Sequence, residues 1–178
     1  VVHSMTDTKD ESLSEDLKKI WVAVECFHKA SLIHDDIEDN DDKRYGEQTL
    51  HASHGIALAL NVGDLLIGEG YRLIADTRLS PEQKNLMLQI ASEGHRQLCR
   101  GQGAELSWMR SPVPMKAVEV LDIFRSKTAP AFEVALQMGA VFAGVDVHAE
   151  VKDTIHAYSE ALGIAYQIRD DLSDHGEG

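Results

Sequence analysis

Basic side chains are scarce in this sequence of 178 residues. Lysine and arginine number 17 against 30 aspartates and glutamates, and the formal net charge is −13. Such a charge argues against nucleic acid or an anionic membrane as the natural partner, because both are polyanions. If the protein handles a smaller polyanion, it must do so through metal ions and a few chosen cationic side chains.

Cysteines and long apolar runs are scarce as well. The two cysteines, Cys26 and Cys99, lie within helical patterns and lack the paired spacing of metal ligands. They suit a reducing compartment, and we therefore expect a cytoplasmic protein. No uninterrupted apolar run is long enough to span a bilayer, so we expect no integral membrane segment.

Strand patterns are absent over any useful length, whereas apolar residues recur at helical spacing along most of the chain. The pattern predicts an all-α fold. The predicted helices cover residues 16–39, 56–75, 81–109 and 148–173, with a further pair between residues 114 and 143. We expect the members of that pair to be separated by a break near Ser126.

The chain is long enough for one domain with a sizeable core. Because no linker, repeat or low-complexity tract interrupts it, we predict a single domain over residues 1–178. The sequence opens with Val1-Val2 and stops four residues after its last acidic cluster. We expect this domain to be incomplete at both ends.

The first of two acidic clusters is Ser31-Leu-Ile-His-Asp35-Asp36-Ile-Glu38-Asp39-Asn-Asp-Asp. On a helix, Asp35 and Asp39 lie one turn apart on one face, with Asp36 beside them. Like charges at this spacing cost about 0.2–0.5 kcal/mol per pair, and a bound cation reverses that sign. Carboxylates suit Mg²⁺, which usually takes one or two of them together with waters and phosphates. A solvated acidic helix end is the alternative.

The second cluster is Asp170-Asp171-Leu-Ser-Asp174, which repeats the Asp-Asp-x-x-Asp spacing about 135 residues later. Both clusters follow an apolar helical pattern. Two such helices, facing each other across a bundle, would present carboxylates to a shared group of metal ions. The ligand between them would be a polyanion, and a diphosphate fits best.

Further motifs occur in a fixed order between residues 21 and 174. They are His28-Lys-Ala-Ser-Leu-Ile-His before the first aspartates, then Arg44-Tyr45-Gly46, Gly63-Asp64, Gly101-Gln102, Lys127-Thr128, and Gln167 before the second cluster. In this order and spacing the sequence resembles the trans-isoprenyl diphosphate synthases, the polyprenyl synthetase family, and within it the geranylgeranyl diphosphate synthases. The resemblance implies an isoprenoid synthase-type helical bundle with a central active-site cavity, and a homodimer.

The resemblance also implies an activity: condensation of an allylic diphosphate with isopentenyl diphosphate, head to tail, after Mg²⁺-assisted ionisation. Three Mg²⁺ ions would be bound by six aspartates, namely Asp35, Asp36, Asp39, Asp170, Asp171 and Asp174. Arg44, Lys127 and Gln167 would bind the allylic diphosphate, and Thr128 would join Lys127 and Gln167 as a catalytic residue by shielding the carbocation. His28 would contact isopentenyl diphosphate.

Each of these residues has a plainer interpretation. Lys127 could be a surface lysine, and His28 could be a hydrogen-bonded structural histidine. Gln167 could only orient Asp171, and Arg44 could only balance neighbouring aspartates. At position 45 the sequence departs from the family, which usually carries a second arginine where Tyr45 stands. That departure puts part of the isopentenyl diphosphate site in question.

Product length follows from the residues that precede the first cluster. The growing chain would run down the helix away from the metals, so the side chains one and two turns earlier would form its floor. The nearest, Ala30 and Ser31, are small, and Phe27 is the next bulky residue, about 5 Å further on. We therefore expect a product longer than farnesyl diphosphate, with geranylgeranyl diphosphate as the leading candidate.

Two other functions stay open. A class I terpene cyclase of the same fold would need no isopentenyl diphosphate site, which agrees with Tyr45, but it usually carries a different second metal motif. A non-catalytic subunit that modulates a related synthase is the second alternative. Six intact aspartates argue against it, because a regulatory subunit needs no metal-facing carboxylates.

Overall fold

A computed structural model of the chain describes residues 11–145 and 149–174, with the side chains of residues 15–145 and 150–169. Its helices are α1 (Glu11–Asp39), α2 (Leu50–His54), α3 (Ile56–Ala75), α4 (Pro81–Arg110), α5 (Ala117–Phe142) and α6 (Ala149–Asp174). A single two-residue hairpin, β1 (Lys43–Arg44) and β2 (Glu47–Gln48), supplies the strands of these ranges. The all-α prediction is confirmed. None of the helices described is both long and apolar enough to cross a membrane.

The described residues form two compact units, one up to Lys84 and one from Asn85 onward. The prediction of one domain stays a prediction.

In the first unit, α1 packs along α3. Ala23 and Ala30 are buried on α1, and the Phe27 ring lies against α3. A Cβ atom added at Gly70 would lie 2.6 Å from the Phe27 ring, so the close packing of the two helices requires glycine there. The Phe27 ring also meets the Tyr71 ring edge to face, with 5.0 Å between centroids.

The hairpin that follows α1 turns through Tyr45 and Gly46, whose φ angles of 52° and 84° are both positive. Two-residue hairpin turns favour this conformation, because its twist matches that of the flanking strands. Glycine adopts it readily, whereas tyrosine does so uncommonly. The turn that brings Arg44 back comes earlier, directly after α1, where Asn40 has a φ of 57° and the Asp41 amide donates to the Asp36 carbonyl over 2.9 Å. Arg44 of β1 therefore lies beside the last turns of α1.

In the second unit, α5 packs along α6. A Cβ atom added at Gly163 of α6 would lie 2.8 Å from the Ala129 nitrogen of α5. Farther along the same pair, the two ring nitrogens of His156 lie 2.8 Å from Glu133 Oε2 and 3.3 Å from Glu160 Oε1. Small residues and charged pairs therefore both hold α6 against α5.

Helix α4 begins at a capping box: the Gln83 amide donates to Ser80 Oγ over 3.1 Å, and Gln83 Oε1 accepts from the Ser80 amide over 3.3 Å. An irregular connector, residues 111–116, leads from α4 to α5. The Trp108 indole on α4 donates to the Val113 carbonyl within this connector.

The predicted break near Ser126 is wrong, because α5 runs unbroken from Ala117 to Phe142 with Pro130 inside it. Proline lacks the N–H that would donate to the carbonyl four residues earlier, which here belongs to Ser126. The helix therefore loses one backbone hydrogen bond at this point without ending.

Candidate active site

The first acidic cluster occupies the end of α1, which stops at Asp39 and has no basic residue in its last turn. The helix dipole presents partial negative charge at this end, so it adds to the repulsion among the aspartates. Cations must offset both terms. Asp35 and Asp39 lie on the same face of the helix, in line with His28 and Ser31 at helical spacing.

Arg44 is the cation that the fold brings to this cluster. Its Nε donates to Asp36 Oδ1 over 2.6 Å, and its Nη2 lies 3.3 Å from Asp35 Oδ2. Burial lowers the pKa of the Arg44 guanidinium, but the hydrogen bond and charge of Asp36, with the charge of Asp35, outweigh it and raise the pKa overall. Arg44 is therefore held as a fixed positive charge beside the motif.

The three aspartates of this cluster differ in their surroundings. Asp36 is buried, with 6% of its surface exposed, and its carboxylate is engaged by Arg44. Asp35 and Asp39 are half-buried. The motif thus combines a buried aspartate, Asp36, that anchors Arg44 with two more accessible aspartates on a common face, of which Asp35 also contacts Arg44.

The donor set of this face fits Mg²⁺. Among the side chains described, no three His, Cys, Asp or Glu residues already form a closed metal-binding group. Two carboxylates on one helix face are nevertheless what Mg²⁺ usually takes from a protein when phosphates and waters complete its shell. The side chains of Asp170, Asp171 and Asp174 lie outside the described residues, although their backbone forms the end of α6.

The predicted floor residues occupy different faces of α1. Ser31 is exposed and lies one turn before Asp35, whereas Ala30 is buried with 1% exposure. Phe27 is eight residues before Asp35, which rotates it by about 80° around the helix axis from the aspartate face. Its half-buried ring packs against Gly70 and Tyr71 of α3, and these contacts restrain it beside that face.

His28 is exposed, and its carbonyl accepts a hydrogen bond from the Ser31 hydroxyl over 2.8 Å. His28 lies two turns before Asp35, on the aspartate face of α1. The prediction that it contacts isopentenyl diphosphate stays a prediction.

The second unit gathers the other predicted residues at the middle of α5. Lys127 Nζ lies 2.6 Å from Glu105 Oε2 of α4, and the two side chains are 19% and 24% exposed. On the other side of α5, the Gln167 side-chain amide of α6 donates to Thr128 Oγ1 over 2.7 Å. Thr128 and Gln167 are thus in direct contact, while Lys127 contacts α4. The roles predicted for the three residues stay predictions.

Two glycines position these contacts. A Cβ atom at Gly101 of α4 would lie 2.5 Å from the Ser126 carbonyl carbon and 2.7 Å from the Lys127 nitrogen. On the opposite side, Gly163 of α6 approaches Ala129 in the same way. Glu105 and Gln167 each lie four residues after their glycine, on the same face of its helix. Helices α4 and α6 therefore each contact α5 at a glycine, and a polar side chain one turn after that glycine contacts α5 again.

Glu105 is the residue that sequence reasoning missed. A sequence signal for it exists, because Glu105 lies three residues after the Gly101-Gln102 motif. Its partner Lys127 is 22 residues away in sequence, so only the crossing of α4 and α5 reveals the contact.

Comparison with known proteins decides the family. A sequence model of the family described as polyprenyl synthetase matches residues 1–177. The chain belongs to the polyprenyl synthetase family.

Relatives of this chain include named diphosphate synthases. The chain is 34% identical over 161 residues to the short chain isoprenyl diphosphate synthase of Methanocaldococcus jannaschii, covering 90% of this chain and 47% of the relative. It is 34% identical over 159 residues to the farnesyl diphosphate synthase of Escherichia coli, covering 85% of this chain and 52% of that protein.

Solved structures agree on the fold. The geranylgeranyl pyrophosphate synthetase of Pyrococcus horikoshii superposes with a TM-score of 0.81 at 31% identity, over 89% of this chain and 48% of its own. The geranyltransferase of Helicobacter pylori gives 0.85 at 26% identity, over 94% and 58%. The chain therefore spans about half the length of the relatives that it matches.

Proposed function

We propose that this polyprenyl synthetase is a Mg²⁺-dependent prenyltransferase that condenses an allylic diphosphate with isopentenyl diphosphate. The observation that carries the proposal is the end of α1, where Asp35 and Asp39 share a face and Arg44 is fixed beside them. Carboxylates for metal ions and a cation for phosphate oxygens are what a metal-bound diphosphate requires.

Arg44 and Lys127 bind the allylic diphosphate in this proposal, and Gln167 binds it while orienting Thr128. The allylic C–O bond breaks, and diphosphate leaves with the electron pair. Thr128 shields the resulting carbocation, to which the double bond of isopentenyl diphosphate adds with formation of a C–C bond. The proton lost next passes to the departed diphosphate, so no separate general base is required. Mg²⁺, when bound, neutralises the charge that develops on the leaving group.

The metal complement in this proposal is three ions. Asp35, Asp39 and Asp170 would be the principal ligands, with Asp36, Asp171 and Asp174 in support. Because Asp36 is engaged by Arg44 over 2.6 Å, its part is to hold that cation next to the metals.

We further propose a cytoplasmic homodimer. Helix α3 supports the dimer, because several of its large apolar side chains are exposed in the single chain: Ile56, Leu58, Leu60 and Leu65. The free cysteines suit a reducing compartment, and burial raises the pKa of the Cys26 thiol, which keeps it protonated and unreactive.

The deciding experiment is product analysis of the full-length protein with Mg²⁺, labelled isopentenyl diphosphate and each allylic starter in turn. We expect the label in a longer prenyl diphosphate. Hydrocarbon released from the allylic substrate alone, without label, would mean a terpene cyclase, which the exposed Tyr45 in place of an arginine would favour. Absence of turnover would favour the regulatory subunit.

The finer proposal is a product longer than farnesyl diphosphate, geranylgeranyl diphosphate first, with Phe27 as the floor. Phe27→Ala should lengthen the product, because it removes the ring that Gly70 and Tyr71 hold beside the aspartate face. Chain length is read from the labelled products. Trp21→Ala is the matched control, since Trp21 is a large residue of α1 that is 62% exposed. An unchanged product spectrum for Phe27→Ala would remove Phe27 as the floor.

A further inference from the structure

The ion pair between α4 and α5 is more enclosed than its neighbours. The side chains of Lys127 and Glu105 are 19% and 24% exposed, whereas those of the Arg96–Glu93 pair, also on α4, are 54% and 50% exposed. Both side chains are half-buried, and lysine and glutamate are mostly exposed in folded proteins. The contact therefore differs in kind from the solvated pairs along the same helix.

Backbone packing brings the two groups together. Gly101 lies against the Ser126 carbonyl and the Lys127 nitrogen, and Glu105 follows one turn later on the same face of α4. The backbone contact at Gly101 thus places the Glu105 carboxylate beside Lys127. Lys127 Nζ meets Glu105 Oε2 at 2.6 Å, the short distance of a charge-assisted hydrogen bond.

Such a contact restrains a long side chain. Lysine carries a compact charge on a four-carbon stem, and fixing its rotamers before a ligand arrives lowers the entropic cost of binding. An ammonium group has three N–H donors, so a hydrogen bond to Glu105 is compatible with donation to a phosphate oxygen. Thr128, the next residue along the chain, is likewise restrained by the hydrogen bond that it accepts from Gln167 of α6.

We propose that Glu105 is a positioning residue that holds the Lys127 ammonium in the orientation in which it binds the allylic diphosphate. The inference rests on the proposed function, in which Lys127 has that role. Glu105 itself does not touch the substrate; it acts through Lys127.

The test compares Glu105→Gln and Glu105→Ala in the full-length protein, each alone and with Lys127→Met. Steady-state rates are measured with Mg²⁺ while the allylic diphosphate and isopentenyl diphosphate are varied separately. Either Glu105 change should raise the allylic KM by about three- to tenfold, the effect of releasing one long side chain. The KM for isopentenyl diphosphate should stay within about twofold.

The Glu105 changes made together with Lys127→Met distinguish an effect that acts through Lys127 from a general effect on the structure. In that combination the Glu105 changes should have no further effect, because residues that act through one another are not additive. Glu93→Gln is the matched control, since it alters a glutamate of α4 in an exposed pair, and it should leave both KM values unchanged. Glu105→Gln preserves the volume of the side chain, so it keeps the test available if Glu105→Ala unfolds the protein.

Different failures point to different conclusions. If Lys127→Met raises the allylic KM but the Glu105 variants do not, the inference is wrong and the proposed function stands. An equal effect of Glu105→Ala with and without Lys127→Met would likewise overturn it, because Glu105 would then act elsewhere. An unchanged allylic KM in Lys127→Met would contradict the role given to Lys127 and the inference with it.

Discussion

At the scale of single residues, the first acidic cluster combines two kinds of carboxylate. Asp36 is buried against Arg44, whereas Asp35 and Asp39 are half-buried on a common face. The sequence shows three aspartates in one motif and predicts a metal site. It cannot distinguish their surroundings, because the distinction depends on the turn at Asn40, which ends α1 and brings Arg44 back beside it.

The Arg44–Asp36 pair should contribute to stability as well as to binding. Arg44→Gln leaves the Asp36 carboxylate buried without its cation, so the free energy of unfolding should fall by about 1–3 kcal/mol. Urea unfolding measures the change. Arg72→Gln is the control, because Arg72 pairs with Glu69 and Asp76 on exposed α3 surface, where a loss of about 1 kcal/mol or less is expected. Equal losses in the two variants would contradict the burial of the Arg44 pair.

At the scale of elements, the contact between α4 and α5 depends on a missing side chain. Gly101→Ala would place a Cβ atom 2.5 Å from the Ser126 backbone, which cannot rotate away. We expect a loss of about 1–3 kcal/mol, as in other overpacked cores. Thermal or urea unfolding provides the measurement.

Gly103 provides the internal comparison for that change. It lies on the same helix, and a Cβ atom there would meet nothing within 4 Å. Gly103→Ala should therefore stabilise the protein by about 0.5–1 kcal/mol, the gain expected from helix propensity alone. If Gly101→Ala stabilised the protein to the same extent, the close approach of α4 and α5 would be disproved.

The contact between α5 and α6 should respond to pH through His156. The hydrogen bond to Glu133, opposed by burial and aided by the charges of Glu133 and Glu160, raises the pKa of His156 above its ordinary value of 6.5. Protonated His156 is therefore stabilising: the contribution is complete below the unfolded pKa and is lost as pH rises through the folded pKa. Because the side chain is 52% exposed, screening limits the effect to about 1 kcal/mol or less.

Unfolding free energies of the native protein and His156→Gln test this response. Their difference should be larger at about pH 5.5 than at about pH 8.5, where the native histidine has lost its proton. The pH dependence of that difference should become smaller when Glu133→Gln is present in both proteins, because the hydrogen bond to Glu133 is the largest cause of the raised pKa and Glu160 remains. A difference that grew with pH would have the wrong sign for a raised pKa.

Helix positions were largely predictable, whereas contacts between helices were not. The apolar pattern predicted Ile56–Ala75 with the bounds that α3 has, and the predicted helix over residues 81–109 differs from α4 only at its last residue. Local periodicity and capping carry this information. The break expected near Ser126 was wrong because a proline at position 130 removes one hydrogen bond while packing on both sides keeps α5 helical. The Lys127–Glu105 contact required the tertiary structure.

At the scale of the whole molecule, the fold class and the family follow from the sequence, since helical periodicity and ordered motifs are spread along the entire chain. The net charge of −13 bears on the diphosphate binding proposed above. A diphosphate is repelled by such a chain unless cations come with it. Metal and diphosphate should therefore bind together more tightly than either binds alone.

Thermal unfolding in the presence of ligands tests that coupling. Mg²⁺ together with an allylic diphosphate should raise the midpoint by more than the sum of the separate effects; at 100 times the Kd the stabilisation is about 2.7 kcal/mol. The double change Asp35→Asn and Asp39→Asn should abolish the joint effect. Asp122→Asn, which alters an exposed pair with Arg125, should preserve it. Purely additive shifts would mean that metal and diphosphate bind independently.

The connector between α4 and α5 has a consequence for how this protein can vary during evolution. The alignment of Lys127 with Glu105 is fixed by the contact of Gly101 with Ser126, inside the two helices. Residues 111–116 only join them. Insertions and deletions should therefore accumulate among homologues in this connector without disturbing the site. A single inserted residue between Gly101 and Glu105 would instead rotate the carboxylate by about 100°, away from Lys127.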